Sequence, residues 1–132
     1  MACSLIKIAE TTVISAVISV SLVGIDSTYD VYVLITNGVG GNSNANGRLR
    51  FTESGTANTT ANYDEAYKGL KSGGAFANHN ATNSTSFIAD WNVSVGTAGS
   101  TQTVHYILNA NNSGEYNFMT QEQVGWGTGR IR

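Results

Sequence analysis

The sequence predicts an all-β chain, an antiparallel β-sandwich with at most one short helical turn. Three observations lead there. Apolar and polar residues alternate with a period of two over several short runs, clusters of Gly, Asn and Ser punctuate those runs, and proline is absent. Charged residues fill only 12% of the 132 positions against 41% hydrophobic, whereas long solvated helices need Lys, Glu and Arg along an outer face. Without proline the turns fall to Gly and Asn, which tolerate positive φ.

Residues 13–23 give the strongest alternation. Ile14, Ala16, Ile18, Val20 and Leu22 fall on one side and Ser15, Ser19 and Ser21 on the other, the pattern of a strand with one buried face. A short strand over residues 5–10 is expected before it. Residues 29–36 alternate again, with Tyr29, Val31, Val33 and Ile35 facing inward and Asp30 and Thr36 outward. Residues 39–47 read as a turn-rich loop ending in Asn46 and Gly47, a hairpin signal. Residues 48–53 then place Leu49 and Phe51 inward, so a hairpin pairing 29–36 with 48–53 is expected.

The stretch 54–85 carries less pattern. Tyr63, Tyr67 and Leu70 stand at near-helical spacing, which points to one helical turn over residues 64–70. Strands resume at residue 86, with Phe87, Ala89, Trp91, Val93 and Val95 inward and Asp90, Asn92 and Ser94 outward. Val104, Tyr106 and Leu108 line one face of a strand over 103–109, and a last strand covers 116–124. The expected shared core is Ile14, Ile18, Val20, Val31, Val33, Leu49, Phe51, Trp91 and Val93. Six to eight short strands of this kind suit a jelly-roll-like sandwich. An immunoglobulin-like one is less favoured, because the Cys…Trp…Cys pattern is missing. Residues 1–132 are expected to form one domain, with no internal repeat.

Composition narrows the function classes. The net charge is −2 and the basic residues Lys7, Arg48, Arg50, Lys68, Lys71, Arg130 and Arg132 are scattered, so no nucleic-acid footprint is expected. Cys3 is the only cysteine, which excludes an intrachain disulfide. Cys3, His79 and His105 lack metal-ligand spacing, so neither metal nor cofactor is expected. The apolar run 13–25 is broken by serines, follows Glu10 and is too short to span a bilayer. A soluble chain with no membrane partner is the expectation.

Catalysis needs a nucleophile or base beside an orienting partner, and no spacing supplies one. His105 reads as an ordinary strand histidine, and His79 lies among asparagines with no visible partner. Asp26, Asp30, Glu53, Asp64, Glu65, Asp90, Glu115 and Glu122 read as solvated surface acids, with no pair singled out for glycoside hydrolysis. Gly38 to Gly41 lack the Lys-Ser/Thr and following helix of a phosphate loop. The sequons at Asn58, Asn80, Asn83, Asn92 and Asn111 follow from an Asn-, Ser- and Thr-rich composition. Trp126, flanked by Gly125 and Gly127, is the one candidate ligand or interface platform.

The run Tyr29, Asp30, Val31, Tyr32, Val33, Leu34, Ile35 leads through a Gly/Asn-rich loop to Arg48, Leu49, Arg50 and Phe51. Gly55 follows closely, then Asn62 and Tyr63. This pattern resembles a group of bacteriophage virion proteins of the tail-fibre, capsid-fibre and decoration type, over roughly residues 5–70. The resemblance implies a non-enzymatic structural subunit that contacts other virion proteins and resides in the virion. Chains of that group usually continue past a Gly-Trp-Gly segment. It thus implies closing strands supplied by a neighbouring subunit or by chain beyond Arg132. Strands this poor in charge leave pairable edges, so a homo-oligomer is expected, a trimer first. The alternative is a carbohydrate-binding module that recognises a host surface glycan. A polysaccharide-degrading enzyme ranks below both.

Overall fold

The structure, a computed structural model, describes residues 5–41, 43, 45–70, 74–93, 101–112 and 114–125. Among them there are nine strands and no helix. The strands are β1 (Val31–Val39), β2 (Ala45–Leu49), β3 (Thr52–Glu53), β4 (Thr56–Ala57), β5 (Tyr63–Leu70), β6 (Phe76–Ser84), β7 (Phe87–Val93), β8 (Thr101–Leu108) and β9 (Phe118–Val124). They pair antiparallel in four small sheets, β1-β8-β9, β2-β7, β3-β4 and β5-β6. The all-β antiparallel expectation therefore holds.

Several local expectations do not. The helical turn over 64–70 is strand β5, in register with β6 through Glu65↔Ala81, Tyr67↔His79 and Leu70↔Phe76. A separation of four is a multiple of two, so Tyr63 and Tyr67 share one face of a strand as readily as one face of a helix. The hairpin between 29–36 and 48–53 does not form. Strand β1 pairs with β8, from Val31↔Leu108 to Val39↔Thr101, and β2 pairs with β7. Asn46 and Gly47 lie inside β2, where the register shifts on either side of Gly47. A Cβ at Gly47 would stand 3.0 Å from the Asp90 Cβ, so this glycine serves close approach rather than a turn.

The largest departure is at the start of the chain. Residues 5–30 contain no strand, and every one of them is exposed. Ile14, expected in the core, is 94% exposed. The segment doubles back on itself, because a Cβ at Gly24 (φ +105°) would fall 2.5 Å from Ile8 Cγ2. It rejoins the body at Asp26, whose Oδ1 accepts the Thr28 N–H at 2.8 Å and lies 2.9 Å from the Tyr32 hydroxyl. Those hydrogen bonds, the Thr28 N–H first, hold the Asp26 carboxyl below the usual carboxylate range.

The facing of the β1-β8-β9 sheet is the reverse of the expected one. On β8 the residues Thr101, Thr103, His105 and Ile107 are buried, while Tyr106 and Leu108 are exposed. On β1 Tyr32 is buried and Val31 and Ile35 are exposed. The buried side chains of the described residues are Tyr32, Tyr63, Ile88, Ala89, Val93 and Ile107, with the polar Ser86, Asp90, Thr101, Thr103 and His105. Of the expected core, Val93 is buried, Val33, Leu49 and Phe51 are half-buried, and Ile14, Ile18, Val20 and Val31 are exposed. The Trp91 side chain lies outside the description. Strand β7 also shows no clean alternation, since Ile88, Ala89 and Asp90 are buried in succession.

Candidate functional site

The most tightly built polar site is buried. Asp90 projects from β7 toward the β1-β8-β9 sheet, and its Oδ1 accepts hydrogen bonds from three threonine hydroxyls. These are Thr103 at 2.5 Å, Thr101 at 3.2 Å and Thr36 at 3.3 Å. Directly paired residues of an antiparallel sheet share a face, and Thr36 pairs with Thr103. The three donors therefore converge from adjacent strands onto one acceptor. The assignment of Asp90 to the solvated acids is corrected: desolvating a carboxylate is tolerable only with such donors in place. Geometrically this cluster is a tie between two sheets, with Asp90, Thr101 and Thr103 buried and Thr36 partly so.

His105 lies on the same face of β8, fully buried, and neither ring nitrogen has a hydrogen-bond partner among the described residues. Burial pushes its pKa below the ordinary 6.5, while the Asp90 charge works in the opposite direction. A proton is then bound more readily by the unfolded chain than by the folded one. Stability is at its full value above pH 6.5 and falls as the pH drops through 6.5 toward the lowered folded value. Urea midpoints measured between pH 8 and pH 5 should decline over that range, and His105→Gln should flatten the decline between pH 6.5 and 5. An unaltered slope in His105→Gln would show that another group titrates.

A second polar group lies on the β5-β6 hairpin. His79 Nε2 lies 3.2 Å from Glu65 Oε1, and Glu65 Oε2 accepts the Ile88 N–H at 2.7 Å. The Tyr67 ring stacks on the His79 ring with centroids 4.7 Å apart. Burial, and then the Glu65 charge, push the Tyr67 hydroxyl pKa up, opposed by Arg48. Ala66, Tyr67, Lys68, Asn78 and His79 line a shallow, open depression here. His79, for which the sequence identifies no partner, has one in Glu65 and lies in strand β6 rather than in a loop, and Glu65 is no solvated acid: its side chain is 9% exposed.

Trp126, the platform candidate, lies outside the described residues, as do Cys3, Lys71, Arg130 and Arg132. Among the described residues no group of three or more His, Cys, Asp or Glu is placed to hold a metal ion, and no helix is long and apolar enough to cross a membrane. Asp90 and its threonines escaped the sequence reading, although the alternation of Thr101, Thr103 and His105 along one strand was a visible signal. Comparison with protein-family models, curated proteins and solved structures gives no significant match.

Proposed function

We propose that this chain is a non-enzymatic structural subunit of a bacteriophage particle, a fibre or decoration component of tail or capsid. The single observation that supports this reading best is the outward face of the β1-β8-β9 sheet, where Val31, Ile35, Tyr106, Leu108, Phe118 and Val124 are all exposed. Contiguous exposed apolar surface marks contact sites on proteins, and a subunit whose work is contact needs one. In this reading the small sheets belong to a jelly-roll-like sandwich completed on assembly, a trimer is the favoured state, and the virion is the location. The Tyr29 to Ile35 and Arg48 to Phe51 pattern points the same way. An antibody against the chain should label intact, purified particles. Absence of the protein from purified particles overturns the reading.

The depression beside Tyr67 and His79 favours one second reading, a glycan-binding module, since it offers an aromatic ring beside the polar Asn78 and Lys68. Glycan-array binding lost on Tyr67→Ala or Trp126→Ala supports that reading. Binding unchanged in both, or absent from the unaltered chain, removes it.

A further inference from the structure

We infer that residues 11–25 form an assembly arm, whose apolar side docks on the exposed face of the β1-β8-β9 sheet in a second copy of this chain. Two unsatisfied features of the same chain call for each other. The first is the sheet face itself. Register places Val31, Leu108 and Phe118 in one row and Val33, Tyr106 and Thr120 in the next, with Ile35 and Val104 beside Glu122. Val31, Ile35, Tyr106, Leu108 and Phe118 on this face are 37–64% exposed, while the opposite face, turned to the interior, buries Tyr32 and Ile107 together with Thr101, Thr103 and His105. The solvated face of an antiparallel sheet is ordinarily polar, so a contiguous apolar one marks a contact surface.

The second feature is the segment 11–25. It alternates as a half-buried strand does, yet among the described residues it pairs with no strand, and it exposes Ile14, Ile18 and Val20. Its anchor at Asp26 and Tyr32 fixes where it leaves the body. The electrostatics match: residues 11–25 carry no charge, and the face they would meet carries Glu122 alone. Charged side chains would have to be desolvated in such a contact; here almost none are.

Ten extended residues are roughly 33 Å long, and at a strand width of about 4.8 Å they cover roughly 160 Å² of the facing surface. In a closed ring each copy donates one arm and receives one, so each loses roughly 320 Å² to the arms, and the arm is one part of an interface of roughly 800 Å² per partner. Ring closure also keeps the exchange from running on into filaments. The segment's own sheet is not the occupant, because arm and face are both exposed within one chain.

This inference deepens the assembly part of the reading above and rests on self-association, and the test separates the two. The full chain is compared by sedimentation with Ile14→Asp/Ile18→Asp, and with Ser15→Asp/Ser19→Asp on the other side of the arm. The first pair should weaken association by about 100-fold or more with an unchanged far-ultraviolet spectrum, since both positions are exposed in the single chain. The serine pair should leave it within about 3-fold. Cys3→Ser chains carrying Ile18→Cys, mixed with Cys3→Ser chains carrying Ile35→Cys, should give a product containing one of each on treatment with a short bis-maleimide. A full chain that stays monomeric at tens of micromolar overturns self-association and the arm together. A stable oligomer indifferent to Ile14→Asp/Ile18→Asp, or one giving no mixed cross-link, overturns the arm alone.

Discussion

Tyr63→Ala should lower the free energy of unfolding by about 3–5 kcal/mol, the range for truncating a buried aromatic ring. Tyr63 is 5% exposed and sits at the first position of β5, paired with Ser84. Its ring meets the Phe87 ring edge-on, centroids 4.9 Å apart, and Phe87 in turn meets Phe51 at 6.4 Å. One side chain therefore joins the β5-β6 hairpin to β7 and to the residue before β3. Its hydroxyl donates to the Asn58 carbonyl at 3.0 Å, closing the loop that precedes β5. Removal leaves a cavity between two sheets and an unpaired carbonyl at once. Tyr63→Phe separates these contributions, and should give up about 0.5–1.5 kcal/mol for the hydrogen bond alone. Urea denaturation with an unchanged slope is the measurement. If Tyr63→Ala proved no worse than Val31→Ala, whose side chain is 49% exposed, the β5–β7 contact would not be part of the core.

The contrast between those positions shows what the sequence made legible. Period and class were readable because a strand's alternation is written in consecutive residues: Val31 to Ile35 and Thr101 to Leu108 both form strands close to where alternation places them. Which face is buried was not readable, because that depends on what stands opposite. Tyr106 and Leu108 are more apolar than Thr103 and His105, so hydrophobicity alone turns β8 around. The structure turns it back, since Asp90 lies across from the threonines and needs their hydroxyls. Pairing failed for a similar reason. Asn46 and Gly47 resemble a turn, but the closeness of Asp90 to Gly47 is a long-range fact that no local signal carries. The start of the chain is the instructive case: residues 13–23 have the pattern of a strand but no strand partner among the described residues. His79, for which the sequence identified no partner, is held by Glu65 and by the stacked Tyr67 ring, both on the facing strand.

Asp90→Ala should destabilise the fold by about 2–4 kcal/mol, through the hydroxyls it strands rather than through its own lost packing. Thr36, Thr101 and Thr103 all point at one carboxylate oxygen, and Thr101 and Thr103 are shut off from water. With the acceptor gone, each hydroxyl must find a carbonyl or remain unpaired in the interior. The loss is moderated because a buried negative charge disappears with it, which is why the estimate stays below that for the aromatic ring. Asp90→Asn keeps an acceptor oxygen at the same place and should lie about midway between the native chain and Asp90→Ala, since bonds to a charged acceptor are roughly twice as strong. A double-mutant cycle decides whether the hydroxyls are the cause. Thr103→Val alone should cost about 1–3 kcal/mol, but in the Asp90→Ala background close to nothing, because the unpaired hydroxyl is then replaced by a methyl group. Strict additivity of the two changes would mean that the sheets are held together by packing around Ile88, Val93 and Ile107, with the hydrogen bonds incidental. Removing Asp90 also removes the one charge that favours a proton on His105. The acid decline in stability should therefore begin at the same pH, near 6.5, in Asp90→Ala as in the native chain, but run deeper and continue to lower pH, because the folded-state pKa of His105 is lowered further.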